Sequence, residues 1–386
     1  MADKTWHRLL AGHRPEREAF LVPEGLCYLN AAYLAPRLKA VQEAGLAGLA
    51  RAGAPWAIKP AHFFDEVEAA RTLFAALIGV SGENIALVPS ASYGLETAAR
   101  NLKIAAGEAI LLLEAQFPSN VYPWRRLARK NKARIITVPR PTDGDWTAAV
   151  LAHMDDSVAI AALPHCHWTD GAMLDLAAIS GACHAHGTAL IIDATQSLGA
   201  VPLNVAAIKP AYLVAASYKW LLGPYSLGFL YVADAYLAGE PLEENWVSRQ
   251  GAEDFTRLVH YRDAYQAGAR RFDVGERNNP ILVPMAIAAL RQLLDWGVAE
   301  IAARLRTLGE AIAEAAAQKG YAPTPAPVRG PHMLGLRREQ GLPHDLAARL
   351  AAANIHVSVR GASVRVAPHL HISAGDIERF IAALPE

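Results

Sequence analysis

Cysteine is scarce in this chain: only Cys27, Cys166 and Cys183 occur in 386 residues. That argues against a disulfide-stapled scaffold and fits a reducing compartment. An excess of one charge is also missing. Lys plus Arg and Asp plus Glu number 37 each, so no cationic surplus is available to neutralise the phosphates of a nucleic acid or to seek an anionic membrane. No uninterrupted apolar run reaches the roughly 20 residues of a membrane span, and residues 1–18 are charged where a secretory leader would be apolar. The expectation is a soluble, cytoplasmic protein that handles a small molecule. Hydrophobic residues make up 53% of the chain. At this length they supply a sizeable core for two domains, or for one large domain with a smaller companion.

Residues 1–25 read as an N-terminal arm leading into a short extended piece, Cys27-Tyr28-Leu29-Asn30. Apolar runs of strand length then recur at 85–88, 110–113, 135–138, 158–163, 189–192, 212–216 and 227–232. Most are separated by segments of helical length and period, such as 121–130 and 174–186. This alternation predicts an α/β fold, a mixed, mainly parallel seven-stranded sheet with helices on both faces. The last two runs are too close for a helical crossover, which makes 227–232 the antiparallel member. A polar, Arg-rich stretch from Gly239 to Arg277 shows little regular pattern. The large domain is therefore placed at 26–280. Residues 281–386 read as a long linking helix (281–304) and a small C-terminal α+β domain. Its strands are expected at 332–336, 356–359 and 363–366 and its helices at 345–353 and 374–384, with residues 321–327 as a loop before it.

The chemistry concentrates in two segments. Leu190-Ile191-Ile192-Asp193 is an apolar run ending in a carboxylate, as a buried parallel strand does when it delivers a side chain to the carboxyl edge of an open sheet, where ligands bind. Ala216-Ser217-Tyr218-Lys219-Trp220 brings a lysine to the same edge, 26 residues past that Asp. Taken singly, a lysine is mostly a surface residue and an Asp after a strand is often a helix cap. Capping does not explain the pairing. A lysine there can hold an aldehyde cofactor as a Schiff base, and a buried carboxylate beside a pyridine nitrogen keeps that nitrogen protonated. The pair therefore points to pyridoxal 5'-phosphate (PLP). Desolvation favours the neutral amine, the form that attacks a carbonyl.

Gln196 lies within reach of the same ring and can donate to its phenolate oxygen. For the phosphate, Ser90-Ala91-Ser92-Tyr93-Gly94 offers backbone N–H groups at a helix start together with the Ser92 hydroxyl. Ordinary N-capping by Ser90 or Ser92 is the other reading of those residues. Phe117, in Gln116-Phe117-Pro118-Ser119-Asn120, follows another strand at this edge and can stack on the ring.

In this order, and with Ser363-Val364-Arg365-Val366-Ala367-Pro368-His369 near the end, the motifs resemble those of the class V aminotransferase family of PLP-dependent enzymes. That family includes cysteine desulfurases, kynureninases and isopenicillin N epimerase-like proteins, and the resemblance runs from Tyr28 to Phe380. It implies a fold type I large domain, a small C-terminal domain and a homodimer with active sites at the interface. It also implies Lys219 as the Schiff-base lysine, Asp193 as partner of the pyridine nitrogen, Gln196 as partner of the phenolate oxygen and Phe117 as the stacking ring. Ala91, Ser92, Tyr93 and Tyr218 take the phosphate. Trp246 and Asn278 match positions that help from across the dimer. Arg365 matches the binder of the substrate α-carboxylate, with Arg360 as competing candidate and Asn30 as a further substrate-site residue.

One departure bears on the reaction. Bacterial desulfurases of this family carry a nucleophilic cysteine on a loop shortly before the carboxylate-binding arginine, and residues 357–365 contain none. This argues against sulfur transfer through a persulfide, and Cys27 reads as a buried structural thiol. Pro164-His165-Cys166-His167 and Cys183-His184-Ala185-His186 hold zinc ligands in number. The first lies at a strand's carboxyl end and the second closes the following helix, roughly 15 Å away at about 1.5 Å per residue. No metal is expected. His167, Trp168, Thr169 and Asp170 are instead expected as a wall of the substrate pocket, with His167 as a proton carrier. The function so read is a PLP enzyme acting on an α-amino acid through a Lys219 aldimine and a quinonoid intermediate, an aminotransferase first. Kynureninase-like, C–S lyase and epimerase chemistry are the alternatives, and a catalytically inactive PLP-fold binding protein is the non-enzyme reading.

Overall fold

A computed structural model describes residues 6–385; residues 1–5 of the expected arm lie outside the described residues. After a short strand β1 (Cys27–Tyr28), seven strands build one sheet: β2 (Ile85–Val88), β3 (Ala109–Leu113), β4 (Arg134–Val138), β5 (Val158–Pro164), β6 (Ala189–Asp193), β7 (Tyr212–Ala216) and β8 (Gly228–Val232). Their order is β2-β8-β7-β6-β5-β3-β4. Neighbours from β7 to β4 pair in parallel, while β8 is antiparallel to both β7 and β2. All strands but β8 therefore end on the same edge of the sheet.

Alternate residues of the inner strands feed two cores. Leu111, Leu163 and Leu213 face one, and Leu112, Ala162 and Val214 face the other. Because both faces are dry, the strands read as continuous apolar runs rather than as alternating ones. Only β4, at the sheet's rim, exposes side chains, Arg134 and Thr137.

The C-terminal part carries a second sheet, β12-β13-β10-β9, from β9 (Ala322–Pro323), β10 (Leu334–Arg337), β12 (Ser358–Arg360) and β13 (Ser363–Val366). Residues 321–327 are thus not wholly a loop; proline is admitted in β9 because that strand is an edge. β11 (Ile355–His356) pairs in parallel with β1, and Asn30 bridges Ala367, so the chain's beginning is stitched to its end. The single linking helix is also corrected. Two helices, Leu282–Trp296 and Val298–Ala317, meet at a bend of 76°. Gly297 makes the bend at φ +74°, a conformation glycine adopts without steric cost. The apolar period runs on through both helices, which hides the break. Among the described residues no single helix is long and apolar enough to cross a membrane.

Candidate active site

The shared strand edge decides which side chains meet. β6 ends in Asp193, and β7 hands the chain to the connection 217–227, which carries Lys219. That connection is held tightly. The Ser217 N–H donates to Leu227 O at 3.0 Å, the Gly223 N–H to Ser217 O at 2.8 Å, and the Ser217 hydroxyl to Pro224 O at 2.6 Å. Lys219 and Asp193 are both buried, and both line a cavity of about 210 Å³ together with Ser92, Phe117, Gln196 and Tyr218. Lys219 Nζ stands 5.4 Å from the centre of the Phe117 ring.

Burial brings the Lys219 amine down to about 8, against the pull of Asp193; Arg365 and Arg360 lower it further. Burial conversely raises the Asp193 carboxyl above its ordinary range, opposed by Thr195 and by Lys219. Asp193 Oδ1 accepts the Thr195 N–H at 3.0 Å. A carboxylate this desolvated suits a cationic N–H partner. Gln196 is oriented from behind: its Oε1 accepts the Trp220 indole N–H at 3.1 Å, and one Nε2 hydrogen goes to Ala32 O at 3.1 Å. The second amide hydrogen remains for a ligand.

At the far end of the cavity, helix Ala91–Asn101 begins. Ser90 caps it, accepting the Tyr93 N–H at 3.2 Å on its hydroxyl, while its carbonyl takes the Gly94 N–H. The N–H groups of Ala91 and Ser92 have no protein acceptor among the described residues. Both readings of this segment therefore hold at once, a capped helix with two free donors facing a cavity, which suits an anion. On the other side of Lys219, Tyr33, Trp168, Tyr225, Arg360 and Arg365 line a second compartment. Arg365 is buried on β13 and donates to Trp168 O at 2.8 Å. Burial depresses its guanidinium to about 10.

Residues 59–377 match the family described as aminotransferase class V. The chain belongs to that family. Over 327 residues, 82% of each chain, it is 29% identical to an uncharacterized aminotransferase, YcbU, of Bacillus subtilis. It is 26% identical to a probable cysteine desulfurase of Vibrio cholerae, with 83% of this chain and 82% of that one covered. Among solved structures, the cystine C–S lyase C-DES in complex with its product cysteine persulfide superposes with a TM-score of 0.83 at 20% identity, covering 93% of this chain and 97% of that one. Apo cysteine desulfurase from Thermococcus onnurineus follows at a TM-score of 0.77 and 18% identity, covering 96% and 97%.

Within this class V aminotransferase fold some expected residues lie elsewhere. His167 is corrected. The backbone bridge between Cys166 and Met173 turns Cys166 and Trp168 toward the cavity and His167 away from it. There His167 stacks on Trp146 at 5.0 Å and approaches Glu114 O at 3.2 Å and Thr169 Oγ1 at 2.8 Å. Burial first, and Arg140 besides, bring it down to about 4, with Asp170 opposing. Thr169 and Asp170 also turn away, onto Arg140, which leaves Trp168 as the wall. Tyr93 gives its N–H to the cap and its ring does not line the cavity. Asn30 is buried against Ser358, whose hydroxyl donates to its Oδ1 at 2.9 Å. Trp246 packs on Phe63, Phe64 and Phe255, and neither it nor Asn278 lines the cavity of its own chain.

Other lining residues were missed. Gln116 and Thr195 sit beside singled-out neighbours, and that adjacency was an available signal. Tyr225, Ser226 and Tyr33 come from irregular connections without periodic pattern. Cys166 also lines the cavity, and burial raises its thiol well above the usual range. Cys27 donates to Asp376 O at 3.4 Å, and burial holds it near 12, as a structural thiol requires.

Proposed function

We propose that this chain is a PLP-dependent enzyme acting on α-amino acids, and that it is an aminotransferase. The observation that carries the reading is the convergence of Lys219 and Asp193 on one cavity with the open start of helix Ala91–Asn101 at its end. PLP, when bound, supplies an aldehyde that takes up an amino group and a ring that stabilises the negative charge left when the Cα proton departs. The chain's own residues do the rest. Asp193 would hold a proton on the ring nitrogen, and Gln196 would donate its free amide hydrogen to the ring oxygen. Ala91, Ser92 and Tyr218 would bind the phosphate, and Phe117 would cover the ring face. Lys219, with an amine held down to about 8, is neutral often enough to carry the cofactor covalently and, once displaced, to accept a proton from Cα and deliver it to a second carbon. That delivery is what amino-group transfer needs. Arg365 would hold the α-carboxylate.

Support for transfer over sulfur chemistry comes from residues 357–365, which form a tight hairpin without cysteine. C–S bond cleavage is the second reading, favoured by the likeness to the C-DES fold. A homodimer, with Trp246 and Asn278 lent to the partner's site, is supported by exposed apolar side chains such as Trp56 and Tyr261, 86% and 94% accessible.

The test is reconstitution of the full chain with PLP, followed by visible absorption. The lysine-linked cofactor band is expected in the parent and absent in Lys219→Ala. Amino acids from a panel should then yield keto acid with conversion of the cofactor to its amine form. Sulfide or ammonia without that conversion would establish the lyase. No band in the parent would leave a binding protein.

A further inference from the structure

β12 and β13 form a hairpin turned by Gly361 and Ala362, with Gly361 at φ +55°. Its register sets Arg360 opposite Ser363 and Ser358 opposite Arg365. Ser363 and Arg365 share a face by the two-residue period of a strand, so Arg360 lies on that face as well, diagonal to Arg365 and roughly 7–8 Å from it. Both arginines line the compartment beside Lys219. Arg365 is buried and Arg360 half-buried, so two like charges on one face of the hairpin repel unless counter-charge is supplied.

Among the described residues no acidic side chain lines the compartment to supply it. Arg365, only 1% accessible, donates to Trp168 O and leaves Nε without any partner. Arg360 donates to Val359 O, and its guanidinium lies 5.8 Å from the centre of the Trp168 ring, which holds it at the compartment wall. Asp170, beyond that wall, is engaged by Arg140 and Arg337. The compartment thus presents two guanidinium groups and one amine to whatever enters, and a single carboxylate can neutralise only one guanidinium.

We propose that Arg360 binds a second carboxylate, and that the substrate is an acidic α-amino acid whose side chain ends in that group. This rests on the reading of the site as one for amino acids, with Arg365 on the α-carboxylate. The rigid hairpin fixes the separation of the two cations, so the length of the side chain between the two carboxylates is selected as well as its charge.

The inference is tested by titrating the PLP-reconstituted protein with unreactive acids, glutarate and succinate against butyrate and propionate, following the change in the cofactor's visible band. Each dicarboxylate is expected to bind at least tenfold more tightly than the monocarboxylate that lacks its second carboxyl group, glutarate against butyrate and succinate against propionate. Arg360→Gln should reduce that ratio to within about threefold while leaving butyrate affinity nearly unchanged, Arg360→Lys should keep part of the preference, and Arg365→Gln should weaken both classes. Equal affinities in the parent, or a preference that survives Arg360→Gln, would overturn the proposal. The same ligand series read as thermal shifts of protein without cofactor separates the two readings. A protein that takes up no PLP but still prefers dicarboxylates loses the enzyme assignment and keeps the two-arginine site. One that takes up PLP without that preference loses only the latter.

Discussion

At the scale of single residues, the readable part of the site was the part whose side-chain type is itself the chemistry. Asp193 ends one apolar run and Lys219 follows the next by three residues, a pairing that neither capping nor surface exposure explains. His167 was misread because the direction of a side chain just past a strand depends on a backbone bridge formed with Met173, which no local pattern announces. The support behind Gln196 was equally hidden. The Trp220 indole N–H fixes which end of the Gln196 amide faces the cavity, and His332 Nε2 holds the Gln196 carbonyl. Trp220 is therefore a positioning residue. Trp220→Phe keeps the aromatic packing and leaves a buried acceptor unsatisfied, which costs about 1–3 kcal/mol. With one of the two bonds that orient the amide gone and only Ala32 O left to hold it, the variant is expected to show a shifted visible band and PLP affinity weakened several-fold. An unchanged spectrum and affinity would mean that Gln196 is held from elsewhere.

At the scale of elements, the strands were legible because both faces of the sheet are buried, whereas the stretch 239–277 was not, because its order comes from charge pairs distant in sequence. Asp273 is the centre of that order. Its carboxylate accepts from Arg71 at 2.8 Å, from the Leu87 backbone N–H at 2.7 Å, and from Arg277. Arg71 also reaches Ile85 O, so the cluster ties the irregular stretch to β2. Both arginines and the aspartate are buried. Removing the charge leaves the Arg277 guanidinium desolvated without an acidic partner and Arg71 with Glu68 alone, close to the situation in which breaking a buried pair costs about 3–5 kcal/mol. Asp273→Asn is nearly isosteric and is expected to lose that much, measured as a lower urea midpoint. A loss under about 1 kcal/mol would show that water reaches the cluster. The break at Gly297 escaped for the complementary reason: hydrophobic period reports which face is buried and carries no sign of φ.

At the scale of the whole molecule, the contact between the main sheet and the C-terminal part is lined by histidines whose burial opposes protonation. His332 and His369 pack on Trp220, and His369 and His371 pack on Phe20. His165 stands beside Ser197, with its Nδ1 2.9 Å from the hydroxyl. In three of them one ring nitrogen has no partner: His332 Nδ1, His369 Nε2 and His371 Nδ1. Burial, the largest cause in each, brings His165 and His369 to about 3 and His332 and His371 to about 4, from 6.5. Between those values the unfolded chain binds protons that the folded one refuses, so stability is complete above about pH 6.5 and falls as the pH drops toward 4. Each such group contributes a slope of about 1.4 kcal/mol per pH unit in that window. Asp193, raised by burial, acts in the opposite direction but is one group against these four and His167, which burial also brings down to about 4. Against the 5–15 kcal/mol typical of a folded protein, the joint slope predicts a sharp fall in urea midpoint between pH 6.5 and 5 and acid unfolding above pH 4. His369→Gln should flatten that dependence, since it removes one of the four refusals while costing packing at every pH. A urea midpoint constant from pH 7 to 4.5 would mean that these rings take up protons in the folded state, and that the contact holding the arginine hairpin over Lys219 opens to water.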